Sequence, residues 1–387
     1  MSRARAIARI DPAAIAANCE RLLGEMAGAR LCAVVKADGY GHGALAAAKA
    51  ALGAGASWLA VATVEEATEL REAFPDTPIL IMGALGEGGA DGDGEQLQWA
   101  IAMGCDVVVW REESVALAAA LAAATSRTAR VHVKLDTGMG RLGTRDPRQG
   151  TRVAEAAVAA PGVELVGLMT HFATADIAAD EGFFQAQLAA FTQWARPLKE
   201  AHPRVLAHAA NSAAVLRQPS SCLDMARCGV AIYGLDPFGE DPDAHGLRPA
   251  LELSSYVAAV KLCRAGESTG YGRRFVATHD TYLGVLPIGY GDGWRRGLSD
   301  AADALVDGGR HPLVGTVSMD NVAVDLGPDP AALALEGAEA VLIGGRGGER
   351  ITAEQLAKRL DTINYEITCG VSARVERTHV PAAPAPR

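Results

Sequence analysis

No two cysteines in this chain stand at C-x-x-C spacing, and the seven present (Cys19, Cys32, Cys105, Cys222, Cys228, Cys263 and Cys369) make an odd number. That speaks against a disulfide framework and against a cysteine-based zinc site, and reads them as small buried hydrophobes of a reducing compartment. A surplus of positive charge is also missing. The 36 lysines and arginines are outnumbered by 46 aspartates and glutamates, for a net charge of −10, which would repel a nucleic-acid backbone. The scattered arginines form no basic stripe. His42, His132, His202, His245, His279, His311 and His379 show no metal-ligating spacing and are expected to be structural or on the surface. No run approaches the roughly 18 uncharged apolar residues of a membrane span, and the N-terminal stretch lacks the apolar block of a signal peptide. The expectation is a soluble, cytoplasmic protein with neither a membrane nor a nucleic-acid partner, and with no metal.

What is there is an ample apolar fraction, 49% of 387 residues, enough for two domains with their own cores. Short β-branched runs alternate with alanine- and leucine-rich stretches over the first part of the chain. The runs are "LCAVVK" from Leu31, "SWLAV" from Ser57, "PILIM" from Pro78, "CDVVVW" from Cys105, "RVHVKL" from Arg130, "VELVGLMT" from Val163, "RVLAH" from Arg204 and "ARCGVAIYG" from Ala226. Eight such repeats, with helices such as "SVALAAALAAAT" and "GFFQAQLAAFTQWARPLKEA" between them, predict an α/β fold, a (β/α)8 TIM-type barrel over 1–240. A doubly wound sheet would carry G-x-G-x-x-G after its first strand, and "KADGYGHG" is not that motif. Around "GLDPFGEDPDAHGLRPAL" the texture changes, and a smaller, mainly β C-terminal domain is expected over 241–387, with one helix, "TAEQLAKRL". The glycine- and aspartate-rich 83–96 reads as a flexible loop without a phosphate-cradle lysine, and "PAAPAPR" as a frayed tail.

Barrel active sites gather at the C-terminal ends of the strands, so polar residues there carry the chemistry. Lys36 closes the first run. Arg141 follows the fifth, His171 ends the sixth, and His208, Asn211 and Ser212 follow the seventh, while Arg227 through Tyr233 form the eighth. Taken alone, Lys36 reads as a lysine that snorkels above a surface turn; that convergence makes it a site residue. A lysine walled by apolar neighbours is desolvated, its pKa falls, and it forms Schiff bases with carbonyl compounds. Pyridoxal phosphate exploits such a lysine as an electron sink for an amino acid's α-carbon.

"AVVKADGYGHG", "KLDTGMGRLG", "THFATAD", "ANSAA", "GVAIYG", "YGRRF", "PIGYGDG", "SMDN" and "INYEI" resemble, in order and across nearly the whole chain, the motif series of the bacterial alanine racemases. The resemblance implies a pyridoxal 5'-phosphate enzyme that interconverts L- and D-alanine and supplies D-alanine for peptidoglycan. Lys36 would hold the cofactor and serve as one α-proton base, Tyr271 as the other, because racemisation needs a base on each face of a planar carbanion. His171 and Arg227 would sit near the tyrosine, with Arg227 also donating to the pyridine nitrogen. Tyr40, Ser212, Tyr365 and the amides of Gly229 and Val230 would hold the phosphate. Asn211 would lie near the ring, Arg141 at the ring oxygen or substrate carboxylate, and Lys134 at the position of a carbamylated lysine that steadies that arginine. Tyr290, Met319 and Asp320 would complete the substrate pocket. Tyr271, Tyr290 and Met319 would come from the neighbouring subunit of a homodimer with shared sites. The chain departs from the family pattern at Ser318, where cysteine is usual, and at Gly270, where serine is usual. These departures bear on alanine against serine, so a serine or broader-specificity racemase of the same fold is an alternative. A barrel lyase and a non-catalytic carrier of the same cofactor are further ones.

Overall fold

The computed structural model describes residues 3–85 and 93–380. The glycine-rich 86–92 and the tail 381–387 lie outside the described residues, so the loop expected over 83–96 is described only at its ends. Of those ends, Asp93 opens a helix, Asp93–Ala102.

Two compact units emerge, Ala16–Tyr40 with Ala44–Ile232, and Met1–Ile15 with Gly41–Gly43 and Tyr233–Arg387. A single cut at residue 240 does not capture this division, because the first strand, β1 (Ile7–Ile10), runs in the sheet of the second unit.

In the first unit, β2 (Arg30–Val34), β3 (Trp58–Val61), β4 (Ile79–Ala84), β5 (Asp106–Val109), β6 (Ala129–Lys134), β7 (Val163–Met169), β8 (Leu206–His208) and β9 (Met225–Cys228) are all parallel. Their order is β8-β7-β6-β5-β4-β3-β2-β9. The ends of that ribbon, β8 and β9, meet through Asp224 N–H to the Ala207 carbonyl (3.0 Å) and Arg227 N–H to the Ala210 carbonyl (2.9 Å). The result is the expected eight-stranded barrel, nearly closed. Strands such as "WLAV" are buried at every position, as a parallel strand covered on both faces must be. Helices Ala44–Gly53, Val64–Ala73, Glu112–Thr125, Pro147–Ala159 and Glu181–Ala201 follow their strands. Thr63 starts the second of these with a capping box to Glu66, and Asp146 caps Pro147 at the start of the fourth. The eighth strand is shorter than its sequence run: it ends at Cys228, and Val230–Tyr233 turn into a 3-10 helix.

The second unit is built on a largely antiparallel sheet. β1 pairs antiparallel with β10 (Leu251–Tyr256) and parallel with Glu376–His379. Ala259–Cys263, Thr281–Leu286, Gly309–Val314, Val322–Gly327 and Glu339–Arg346 are strands, in a unit expected to be mainly β. Asp303–Val306 is a further strand of the sheet, and Thr352 caps the expected helix at Ala353–Arg359.

Gly234 has φ +73°, and a Cβ there would lie 1.7 Å from the Arg248 carbonyl oxygen. Gly234→Ala should therefore destabilise by about 2–3 kcal/mol. Gly53→Ala, with open space around it, should be neutral or stabilising by up to about 0.5 kcal/mol. Denaturant titration of the two variants checks both.

Candidate active site

Lys36 lies two residues beyond β2, where Val35 N–H still bonds the Ala60 carbonyl at 2.9 Å. The chain then makes a left-handed turn: Ala37, Asp38, Gly39 and Tyr40 have φ of 52°, 50°, 60° and 55°. For the non-glycine members this conformation costs roughly 1–2 kcal/mol each, strain of the kind that concentrates at functional sites. Side chains offset it. Glu66 accepts from Ala37 N–H through one oxygen (2.7 Å) and from Ala62 N–H through the other (2.8 Å), and the Asp38 carboxylate accepts from Ala44 N–H at 2.9 Å. The turn carries Tyr40 inward to 8% exposure. There its hydroxyl would be 2.3 Å from a Cβ at residue 229, so only glycine fits. The Ser212 hydroxyl accepts from Gly229 N–H (3.2 Å) and Ala231 N–H (3.3 Å), with Val230 buried between them. Asn211 caps the helix Ser212–Arg217 by accepting from Ala214 N–H at 3.0 Å.

Arg227 is 3% exposed and spends its donors on the strand ends beside it. Nη1 bonds His208 Nδ1 (2.7 Å) and the His208 carbonyl (3.1 Å). Nη2 bonds the Thr170 carbonyl (2.7 Å), His171 Nδ1 (3.1 Å) and the Ala209 carbonyl (3.2 Å). Burial pulls its pKa down to about 10, and it remains a cation at neutral pH. A guanidinium can only donate, so His171 Nδ1 accepts and the imidazole proton sits on Nε2. Burial first, then the charges of Arg227, Arg141, Lys134 and Lys36, hold His171 well below the usual histidine range, so it is neutral.

Lys134 ends β6 at 4% exposure, and burial together with the Arg227 and Arg141 charges brings its ammonium down to about 8. The loop beyond it folds back, with Asp136 N–H on the Thr144 carbonyl (2.8 Å) and Thr144 N–H on the Lys134 carbonyl (3.2 Å). Asp136 receives Gly138 N–H, Gly140 N–H and Arg145 Nε at 3.0–3.1 Å. Arg141, exposed, is thereby held in a compact loop. Four cations, Lys36, Lys134, Arg141 and Arg227, thus bear on one neutral histidine, a setting built for anionic ligands. Ser212 and Tyr40 offer hydroxyls to a phosphate beside Gly229, and Lys36 offers an amine to an aldehyde; the residues present fit pyridoxal phosphate.

In the second unit, Tyr271, Tyr290 and Met319 are 75%, 43% and 51% exposed. Tyr290 N–H bonds the Ser318 carbonyl (3.0 Å) and Gly291 N–H the Met319 carbonyl (2.9 Å). Asp320 is held by Arg374 at 2.7 Å, and buried Asp292 lies between Arg5 and Arg374. Tyr365 belongs to the helix Asn364–Cys369. The two departures have local reasons. Gly270 has φ +76° with the Thr316 amide 3.2 Å from where a Cβ would stand, and the Ser318 hydroxyl closes its own turn by donating to the Asn321 carbonyl and accepting Asn321 N–H. His42 and His132, expected as structural or surface residues, are buried, and so is His208 after the seventh run. Sequence reading also passed over Asp106, whose signal was a carboxylate opening an otherwise apolar strand. Six cysteines are buried and Cys369 is exposed, all as free thiols. Burial raises Cys19 and Cys32 to about 12.

Barrel, strand-end lysine and anion cradle together define a lysine-dependent cofactor enzyme of the barrel type. The chain belongs to the alanine racemase family: the model "Alanine racemase, N-terminal domain" matches residues 10–237 and "Alanine racemase, C-terminal domain" matches 250–379. It is 40% identical to an alanine racemase of Symbiobacterium thermophilum, covering 96% of each chain. With alanine racemase 1 of Bacillus subtilis it shares 38% over 96% of this chain and 92% of the other. Its fold superimposes on the alanine racemase of the D-cycloserine producer Streptomyces lavendulae with TM-score 0.90 at 36% identity, covering 99% of each chain. The Bartonella henselae enzyme, solved with covalently bound pyridoxal phosphate, matches at TM-score 0.84 and 28% identity over 98% of this chain and all of the other.

Gly229→Ala should displace the Tyr40 hydroxyl and weaken retention of pyridoxal phosphate by about tenfold or more, measured by equilibrium titration of the cofactor-stripped protein. Val230→Ala, a neighbour without that clash, should retain it.

Proposed function

We infer that this chain is a pyridoxal-phosphate-dependent alanine racemase, interconverting L- and D-alanine and supplying D-alanine for peptidoglycan in the cytoplasm. The observation that carries the reading is the lysine at the strand end, set in a strained turn and grouped with three other cations around a neutral histidine, within a chain of this family over nearly its full length. When bound, pyridoxal phosphate supplies an electron sink for the α-carbon of the amino acid.

The chain's own groups do the rest. Tyr40, Ser212, Tyr365 and the amides of Gly229 and Val230 would hold the phosphate, and Asn211 would lie near the ring. Arg227 would donate toward the ring nitrogen without surrendering its proton, which would limit how far charge is drawn from the α-carbon and disfavour transamination. Arg141 orients the substrate carboxylate with Met319 and Asp320, and Tyr290 closes the pocket. Lys36 Nζ takes or returns the α-proton on one face. The phenolic oxygen of Tyr271, brought by a second copy of the chain, does so on the other, with His171 as its neighbour. Exposed Tyr271, Met319 and Tyr290, set on a platform tied by Arg5, Arg374 and Asp292, support a homodimer with shared sites, since aromatic and methionine side chains are enriched at interfaces.

Lys134 supports a second chemical feature. With an ammonium at about 8, about a tenth of it is the neutral amine at pH 7, against well under a thousandth for an ordinary lysine. The amine adds carbon dioxide with loss of a proton, giving a carbamate whose negative charge steadies Arg141. Because the neutral amine is the nucleophile, formation rises as pH climbs through about 8. In 13C-bicarbonate, the holoenzyme should show a carbamate resonance that strengthens from pH 7 to pH 9 and is absent in Lys134→Arg.

Purified protein with L-alanine should yield D-alanine by chiral chromatography. Lys36→Ala should abolish it, and Tyr271→Phe should lower kcat by about 10²-fold or more while leaving bound cofactor unchanged. D-serine formed faster than D-alanine would replace the substrate and keep the mechanism. Bound cofactor with no D-product from either amino acid would overturn the reading in favour of a lyase or a carrier.

A further inference from the structure

Parallel barrels usually fill their interior with branched aliphatic side chains. Here a chain of polar groups crosses it. Asp106 on β5, His132 on β6 and His208 on β8 are each 0% exposed, and Arg227 on β9 is 3% exposed. His208 Nδ1 lies 2.7 Å from Arg227 Nη1, His208 Nε2 lies 2.8 Å from His132 Nδ1, and His132 Nε2 lies 3.1 Å from Asp106 Oδ2.

The protons in this chain have one consistent order. Arg227 can only donate, so His208 Nδ1 accepts and His208 carries its proton on Nε2. That proton goes to His132 Nδ1, which leaves the His132 proton on Nε2, pointing at Asp106. An ionised carboxylate only accepts, so the opposite end imposes the same order. The second Asp106 oxygen is held by Arg130 Nε at 2.6 Å. The barrel also makes room for the central contact. On β7, between the two histidine strands, a Cβ at Gly167 would lie 2.2 Å from His132 Nδ1 and 3.0 Å from His208 Nε2.

We infer that Asp106, acting through His132 and His208, is a positioning residue that fixes the orientation of Arg227 and, through it, the acceptor face of His171. The inference rests on the proposed role of Arg227 beside the cofactor. A carboxylate in direct contact would quench the guanidinium's field. Two neutral imidazoles instead place the counter-charge three hydrogen bonds away, so Arg227 is held rigidly while its charge still acts on His171 and Lys134. A buried network of this kind rigidifies only when every member is satisfied.

The test is 15N-histidine NMR of the holoenzyme together with steady-state kinetics. Wild-type His171, His208 and His132 should all be neutral Nε2–H tautomers. Asp106→Asn should lower kcat by about tenfold or more with KM for alanine changed by less than about twofold, and should shift the His208 and His171 signals while cofactor stays bound. Gly167→Ala, which removes no polar group, should do the same by parting the imidazoles, and decides the matter if Asp106→Asn does not fold. Wild-type His132 or His208 carrying its proton on Nδ1 would overturn the inference. So would Asp106→Asn with wild-type kcat and unshifted His171. Wild-type protein inert toward alanine would overturn the functional reading, a failure that the tautomer signals keep distinct from a failure of the chain.

Discussion

A single buried guanidinium joins the fold to the chemistry. β8 and β9 meet through the two backbone hydrogen bonds at Ala207 and Ala210, and across that seam Arg227 donates to the carbonyls of Thr170, His208 and Ala209. Side-chain donors thus supply part of what a ladder supplies elsewhere in the barrel. Burying a charge is costly unless it is paired or richly hydrogen-bonded, and Arg227 meets that requirement with neutral acceptors. The consequence is electrostatic: an unquenched positive charge remains at the C-terminal ends of the strands, where His171 is held neutral and Lys134 is drawn toward neutrality.

The left-handed turn after Lys36 is the second place where structure and function share one cause. Continuing β2 by two residues would leave the lysine amine on a regular strand end and Tyr40 outside. Bending through Ala37–Tyr40 instead brings Tyr40 against Gly229. The strain is held by bonds that reach elsewhere in the barrel, since Glu66 belongs to the helix after β3 and Asp38 reaches Ala44. The turn therefore depends on the first two strand–helix repeats being in register, a local conformation enforced by tertiary packing.

Much of this was legible in the sequence. Short β-branched apolar runs give all eight barrel strands, and "KADGYGHG" marks a backbone that must bend sharply. Other features were not legible, for physical reasons. β1 is four residues long, and nothing in "IARI" says that its partners lie in β10 and at Glu376–His379, a pairing set by contacts more than 200 residues away. The end of β9 at Cys228 is fixed by Ser212 capturing two amides, which no periodicity encodes. His132 carries no motif; its meaning comes from Gly167 one strand over, where the missing side chain makes the space. The departures at Gly270 and Ser318 look like specificity changes in the sequence, and in the fold they are a positive-φ position and a self-satisfied turn.

The charge distribution ties these strands of argument together. The chain is acidic overall at −10, yet its strand-end site gathers Lys36, Lys134, Arg141 and Arg227 around one neutral histidine, while Asp136 is committed to its own loop and to Arg145. An acidic exterior around a cationic interior selects for small anions and zwitterions over polyanions, which the surface repels before they arrive. Within the site the four cations repel one another, and an anion bound among them offsets that repulsion, while a second anion meets a smaller positive field than the first.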